Sequence, residues 1–333
     1  MTAERELIAA IQRRTGAAAP GATGLVQGIG DDCALWRPAA AEVCLVTTDT
    51  LVEGVHFDRA WHPPRLLGRK AVAVNMSDIA AMGGCPRFVL LSLGLPGDEA
   101  EQWRDDLLDG LAEAVTEYGA VLIGGDTVRA PAGVLLTVTV IGAADPERVC
   151  LRSGGRVGDS VWVGGPLGLA AAGLEICRRG LGADPQWRQA VQAHLDPGAQ
   201  VALGQKLAAA GLVNAMMDLS DGLATDLAHL ATASGLGAEA EARLLPIPEI
   251  VRRAARVCRA DPLAWALRGG EDYQLLFTAP PANDEALVRL GALIPGAALT
   301  RIGRLIPRAG VFLQDNGHRR EIGYGGYDHF RRE

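Results

Sequence analysis

Six short acidic motifs recur along the chain, each beside glycine or a hydroxyl residue, and apolar runs lead into most of them. They are Gly30-Asp31-Asp32, Thr47-Thr48-Asp49, Asn75-Met76-Ser77-Asp78, Gly124-Gly125-Asp126-Thr127, Asp218-Leu219-Ser220-Asp221-Gly222 and Gly269-Gly270-Glu271-Asp272. An apolar run that stops at a carboxylate reads as a strand or helix delivering that carboxylate to its end. If even three converge, the pocket needs cations. Two bare carboxylates about 4 Å apart repel by roughly 4 kcal/mol at an effective dielectric of about 20. A divalent metal relieves that repulsion, and an all-oxygen donor set favours Mg²⁺ over Zn²⁺. The pattern implies several Mg²⁺ ions and the phosphates that accompany them.

The chain of 333 residues most simply forms two domains, because compact units of about 100–200 residues are usual. A net charge of −7 weighs against a general nucleic-acid or membrane-surface binder, which would carry basic patches. It leaves anionic small substrates open, because bound metal inverts the local field. Only Lys70 and Lys206 are lysines, and neither stands in the glycine-rich setting that a P-loop requires. A protein-kinase lysine and catalytic loop are also missing. A nucleotide would therefore be held through metals, arginines and backbone amides. The six cysteines (33, 44, 85, 150, 177 and 258) show no metal-ligand spacing and read as reduced thiols. The first fifteen residues lack an apolar signal core and no stretch approaches 18 apolar residues, so the expectation is a soluble, cytoplasmic protein.

Periodicity predicts helices over 5–14, 66–82, 98–118, 167–179, 200–210 and 221–234, with further helices near 249–268. Strands are expected over 43–47, 87–95, 120–124, 134–141, 160–164, 213–217 and 273–278, and near 299–305 and 310–314. In this reading Asp98 and Glu101 form a capping-box-like start, Gly119 ends that helix, and Ser220 caps the helix that follows it. Asp49, Asp126 and Asp218 then stand at strand ends. Strands and helices mix throughout, which gives an α/β or α+β fold with a domain break over 143–158.

Each motif alone has a plainer reading. Asp218-Leu219-Ser220-Asp221-Gly222 could be a helix cap, and Gly28-Ile29-Gly30-Asp31-Asp32 an Asp-rich turn. Paired glycines at a strand end suit a bulge. His56 could be a structural histidine, and Arg152 a solvated linker charge or a phosphate clamp.

The motifs run in order from residues 28–34 through 48–57, 73–83, 122–127, 151–154, 218–223 and 269–273 to the closing Gly326-Tyr327-Asp328-His329-Phe330. This ordered set closely resembles the thiamine-monophosphate kinase family, ATP-dependent enzymes that make thiamine diphosphate. The wider superfamily, which includes aminoimidazole ribonucleotide synthetase, shares the acidic scheme. The segments at 54–57, 218–222 and 326–330 are particular to the kinase.

The resemblance implies an N-terminal domain over 1–145 that binds ATP and Mg²⁺ and pairs its sheet with that of a second subunit, making a homodimer. A C-terminal α/β domain over 146–333 would complete the active site. It also implies metal ligation by Asp32, Thr47, Thr48, Asp49, Asp78, Asp126, Asp218 and Asp221, with Mn²⁺ able to substitute for Mg²⁺. Gly125, Arg152 and Ser220 would contact ATP, and His56, Glu271 and Tyr327 the thiamine phosphate. Thr47 stands where some relatives carry serine, and Tyr327 where some carry tryptophan. No protein nucleophile or base is expected.

Other readings stay open on the residues alone. They are an aminoimidazole ribonucleotide synthetase-like ATP enzyme, a carrier acting through a C-terminal cysteine, and a non-catalytic metal-binding protein. Selenophosphate synthetase would want a lysine near Cys33, and none precedes Lys70.

Overall fold

Alternation decides the first half of the chain. In the strand Leu135–Ala144, Leu136, Val138 and Val140 are buried, while Leu135, Thr137, Thr139 and Ile141 are not. One face of the sheet is therefore packed and the other open. The computed structural model describes residues 11, 13, 14, 24–27, 35, 36, 39–97 and 99–326. The Gly28–Asp32 motif with Asp32, the cap residue Asp98, Tyr327 and the rest of the closing motif lie outside them. Most of the helix expected over 5–14 does too, although residues 11, 13 and 14 are helical.

Two units divide the chain: residues 1–79 with 84–147, and residues 80–83 with 148–333. The first opens on a short antiparallel pair, β1 (Leu25–Gln27) and β2 (Leu35–Trp36). Its main sheet holds β3 (Val43–Val52), β4 (Cys85–Leu95), β5 (Val121–Arg129) and β6 (Leu135–Ala144), in the order β3-β6-β4-β5. Helix α1 (Pro64–Ala81) links β3 to β4. Helix α2 (Glu101–Glu117) makes the crossover that the parallel β4–β5 pair requires. It starts at Glu101 from Ala100, without a side-chain cap, so the expected capping box is not what begins it.

The second unit is a seven-stranded sheet of β7 (Ser160–Val163), β8 (Ala215–Asp218), β9 (Gly237–Glu241), β10 (Leu275–Ala279), β11 (Thr300–Ile306), β12 (Val311–Asp315) and β13 (His318–Glu321). The order is β13-β12-β9-β11-β7-β10-β8, antiparallel except for β12 beside β9. Strands β7, β8 and β10 are buried throughout because helices cover both faces. Helices α3 (Leu169–Arg178), α4 (Arg188–Leu195), α5 (Val201–Ala210), α6 (Leu223–Ala233), α7 (Glu249–Cys258), α8 (Pro262–Arg268) and α9 (Asp284–Ala292) surround it. Val161, Met217 and Leu276 pack with α6 on one side. Trp162, Met216 and Phe277 pack with α5 and α9 on the other. Trp162 and Phe277 are register partners with rings stacked at 6.4 Å. Helices α4 and α9 and strands β9 and β13 were not expected from the sequence. Among the described residues no helix is long and apolar enough to cross a membrane.

Candidate active site

Strand parity sorts the acidic residues of the first unit. Strand β3 runs to Val52 because its ladder with β6 continues unbroken from Val43 to Val52, so Asp49 lies within the strand and not at its end. Asp126 likewise lies inside β5, which runs on to Arg129. The expectation that carboxylates mark strand ends fails at both positions, because backbone pairing carries the strands past the polar residues. It holds at Asp218, the last residue of β8.

Thr47, Asp49 and Leu51 face Val140, Val138 and Leu136 across the ladder and share the packed face of the sheet. There Thr47 Oγ1 donates to Asp78 Oδ2 of α1 at 2.5 Å. The Asp49 carboxyl is pushed up to about 6, first by burial and second by the charge of Asp78. The residue as a whole is nonetheless exposed.

Thr48 points the opposite way. Its hydroxyl is 3.1 Å from the Val138 carbonyl and 2.9 Å from Thr139 Oγ1. Asp126 pairs with Ser92, which pairs with Thr137, so it also belongs to the open face. Within this unit the structure therefore joins Thr47, Asp49 and Asp78, and separates from them the Thr48 hydroxyl and Asp126. The Asp126 carboxylate accepts the Thr127 N–H at 2.9 Å.

Gly125 has a structural reason to be glycine. At φ +152° an added Cβ would lie 1.8 Å from the Leu91 carbonyl of β4. A register shift at Val89/Leu90, opposite Leu122 and Gly124, supplies the bulge that paired glycines suggested.

His56 sits in the turn after β3. Its Nδ1 accepts the Val52 N–H at 3.0 Å, which places the proton of a neutral ring on Nε2. Lys70, wholly buried, donates from Nζ to the His56 carbonyl at 3.4 Å.

In the second unit two motifs interlock. The Glu271 N–H donates to the Ser220 carbonyl at 2.8 Å, and the Tyr273 N–H to the Leu219 carbonyl at 2.8 Å. Glu271 and Tyr273 both hold left-handed backbone, at φ 58° and 47°. For such residues that conformation costs about 1–3 kcal/mol and persists only where the surroundings impose it. Asp272 accepts the Gly168 and Ala170 N–H groups at 2.6 and 3.3 Å, serving as a remote cap for α3. Burial pushes its carboxyl up to about 7 against the pull of those N–H bonds.

Ser220 does not cap α6. That helix starts at Leu223 from Gly222, without a side-chain cap. The cap-like role falls to Asp226, whose Oδ2 accepts the Asp221 and Gly222 N–H groups at 3.1 and 3.0 Å. Asp226 is 1% exposed, and burial, then the charges of Asp221 and Asp218, hold its carboxyl well above the usual range. Its signal was present in the sequence as an acid between Leu223, Leu227 and Leu230 on an apolar helix face.

His194 was also missed. It is 1% exposed and lies 3.2 Å from Glu271, 77 residues away, so nothing local announces it. The Arg152 side chain is exposed, and its carbonyl accepts from Ser234 Oγ at 3.3 Å.

Among the described residues no group of three or more His, Cys, Asp or Glu side chains stands close enough to hold a metal ion. The donor chemistry nevertheless fits a hard divalent cation. The charge of Asp78 raises the cost of ionising Asp49, with a hydroxyl between strand and helix and no nitrogen or sulfur donor among the assigned residues.

Two family models match the chain: AIR synthase related protein, N-terminal domain, over residues 30–144, and AIR synthase related protein, C-terminal domain, over residues 156–316. Thiamine-monophosphate kinase of Escherichia coli (strain K12) is 40% identical over 306 residues, 91% of each chain. The crystal structure of thiamine-monophosphate kinase from Stenotrophomonas maltophilia K279a superposes with a TM-score of 0.82 at 37% identity, covering 93% of this chain and 96% of that one. AaThiL complexed with AMPPCP and TMP superposes with a TM-score of 0.75 at 35% identity, covering 85% and 86%.

Proposed function

The chain belongs to the thiamine-monophosphate kinase family, and on that premise we propose that it moves the terminal phosphoryl group of ATP onto thiamine monophosphate. The products are ADP and thiamine diphosphate. A phosphate oxygen of the acceptor forms a bond to the γ-phosphorus, the bond to the β,γ-bridging oxygen breaks, and its electron pair leaves with ADP. The acceptor is a phosphate monoester whose second pKa is about 6, so at neutral pH it is already a nucleophile. The chain needs no general base, and none is assigned.

The observation that supports this reading most is the grouping of Thr47, Asp49 and Asp78 on one face of the first sheet. Those three would hold divalent metal on the packed face of the first sheet, and Thr48 and Asp126 would do so on its open face. Asp32 belongs to the same proposed ligand set, and Asp218 and Asp221 would hold metal in the second unit. When bound, Mg²⁺ (several ions, with Mn²⁺ as a substitute) would supply charge neutralisation along the phosphate chain and in-line alignment of donor and acceptor. Gly125, Arg152 and Ser220 would contact ATP. His56, Glu271 and Tyr327 would hold the organic part of the acceptor. A homodimer joined through the first sheet belongs to the same proposal. The open face offers Val46 and Val128, 67% and 55% exposed, to a second copy.

The test is acceptor choice with product identification. With ATP and Mg²⁺ in excess, thiamine monophosphate should exceed thiamine in kcat/KM by at least about 100-fold, because the site is matched to the acceptor's phosphate. Equal values would mean an alcohol kinase. Phosphate release without thiamine diphosphate would point to chemistry of the aminoimidazole ribonucleotide synthetase kind.

A further inference from the structure

Glu271 is held by its backbone from several directions. Its own N–H is bonded to Ser220, the N–H of Tyr273 to Leu219, and the Asp272 carboxylate to the start of α3. A glutamate kept at φ 58° by so many bonds points to a requirement on where its side chain goes. The backbone, however, leaves the side-chain torsions of Glu271 undetermined, and the carboxylate is only 23% exposed. It lies 3.2 Å from His194 Nδ1, on a ring that is itself 1% exposed. An ionised carboxylate only accepts, so the nitrogen facing it carries the proton.

The depth at which His194 sits is set by neighbouring helices. Helix α4 lies against α3 at Gly173, where an added Cβ would be 2.0 Å from the Ala190 carbonyl and 3.0 Å from the His194 Cβ. Any larger residue at 173 would push α4, and His194 with it, away from Glu271.

We infer that His194 is a positioning residue for acceptor binding: its Nδ1–H aims the Glu271 carboxylate, already placed by strained backbone, at the organic part of thiamine monophosphate. The inference rests on the reading that Glu271 contacts the acceptor. His194 acts through Glu271 and touches neither substrate.

The experiment is a double-mutant cycle read by steady-state kinetics and by calorimetric binding of thiamine monophosphate. His194→Leu should raise the acceptor KM by about 10-fold or more, the scale of a lost hydrogen bond to a charged group. The KM for ATP and kcat should stay within about 3-fold. In a Glu271→Ala background the same change should add less than about 2-fold, because coupled residues are not additive. The amide of His194→Asn superposes on Nδ1 and that of His194→Gln on Nε2. Asn should therefore restore acceptor affinity and Gln should not, which keeps the test decisive if the Leu variant fails to fold. Full additivity in the cycle, or equal affinities for the Asn and Gln variants, would overturn the role of His194 while leaving Glu271 in place. An unchanged acceptor KM in Glu271→Ala alone would remove the reading beneath it and the inference together.

Discussion

The two units place their carboxylates by different physics. In the first, Asp49 and Asp126 ride on paired strands, Asp126 just past the bulge at Gly124 and Gly125, and parity decides which face each one sees. Their backbone is unstrained, and pairing continues past them as though they were ordinary strand residues. In the second, Asp218 ends strand β8, and the loops that carry Asp221 and Glu271 are tied to each other by main-chain bonds, with left-handed backbone at Glu271 and Tyr273 and a buried Asp226 holding two N–H groups. A strand displays a side chain at no conformational cost. Interlocked loops place one more tightly, but the placement depends on every bond in the set. Substitution should therefore separate activity from stability in the first unit and couple them in the second.

The largest effect expected is on turnover. Asp49→Asn and Asp78→Asn keep shape, remove a charge, and should each lower kcat by at least about 100-fold. The melting temperature should be unchanged or slightly higher, because like-charge repulsion is relieved. A folded Asp49→Asn variant with wild-type kcat would show that Asp49 is only a surface residue of its strand.

Next in size is a stability effect in the second unit. Asp272→Ala strips the remote cap from α3 and should destabilise the fold by about 1–3 kcal/mol, the cost of leaving buried N–H groups unpaired. Asp272→Asn, which keeps an acceptor, should lose much less. Urea melts that rank the two variants equally would mean that the cap does not hold the loop.

A pH experiment gives a smaller signal with a definite sign. Asp272 has a folded pKa of about 7 against an ordinary 3.8. Below about 4 both folded and unfolded chains hold this proton, and the stabilising contribution is complete. As pH rises from about 4 to 7 the unfolded chain has released the proton and the folded chain still holds it, so the contribution falls away. Asp226 acts in the same direction. The metal-free protein should thus melt lower at pH 8 than at pH 5.5 on account of these groups, and Asp272→Asn should flatten that slope. In the first unit Asp49, at about 6, should make Mg²⁺ affinity weaker at pH 5.5 than at pH 7.5, because metal must displace a proton. A pH-independent Mg²⁺ affinity would argue against Asp49 as a ligand.

The smallest change concerns His56. Its Nδ1 serves the turn after β3, so His56→Asn, which keeps an acceptor near that position, should raise the acceptor KM more than it lowers kcat. A kcat loss of about 100-fold at saturating substrate, on the scale of a lost general base, would make it catalytic.

Much of this was legible before the structure. Long apolar periods placed α1, α2, β4, β6 and β10 within a few residues, and Asp218 at a strand end came from the same pattern. The strands β3 and β5 were read too short because polar residues look like endings, whereas ladder pairing is non-local and continues through them. Helix α6 was started too early because Ser220 resembles a cap, while the real partner of those amides is Asp226, one helical turn ahead. His194 could not be read from its neighbours, since its meaning comes from a contact across 77 residues. Face parity at Thr48 and Asp126 also needed the register, because a shift of one residue reverses the face.

In the proposed reaction phosphate passes directly from ATP to the phosphate of thiamine monophosphate. The most direct measurement is to incubate the protein with Mg²⁺, thiamine monophosphate and ATP labelled at its γ-phosphorus, then follow the label. Label should appear in thiamine diphosphate in proportion to ADP formed, and none should appear there when a chelator removes the metal. Label appearing only as inorganic phosphate, or undiminished transfer with the metal removed, would contradict it.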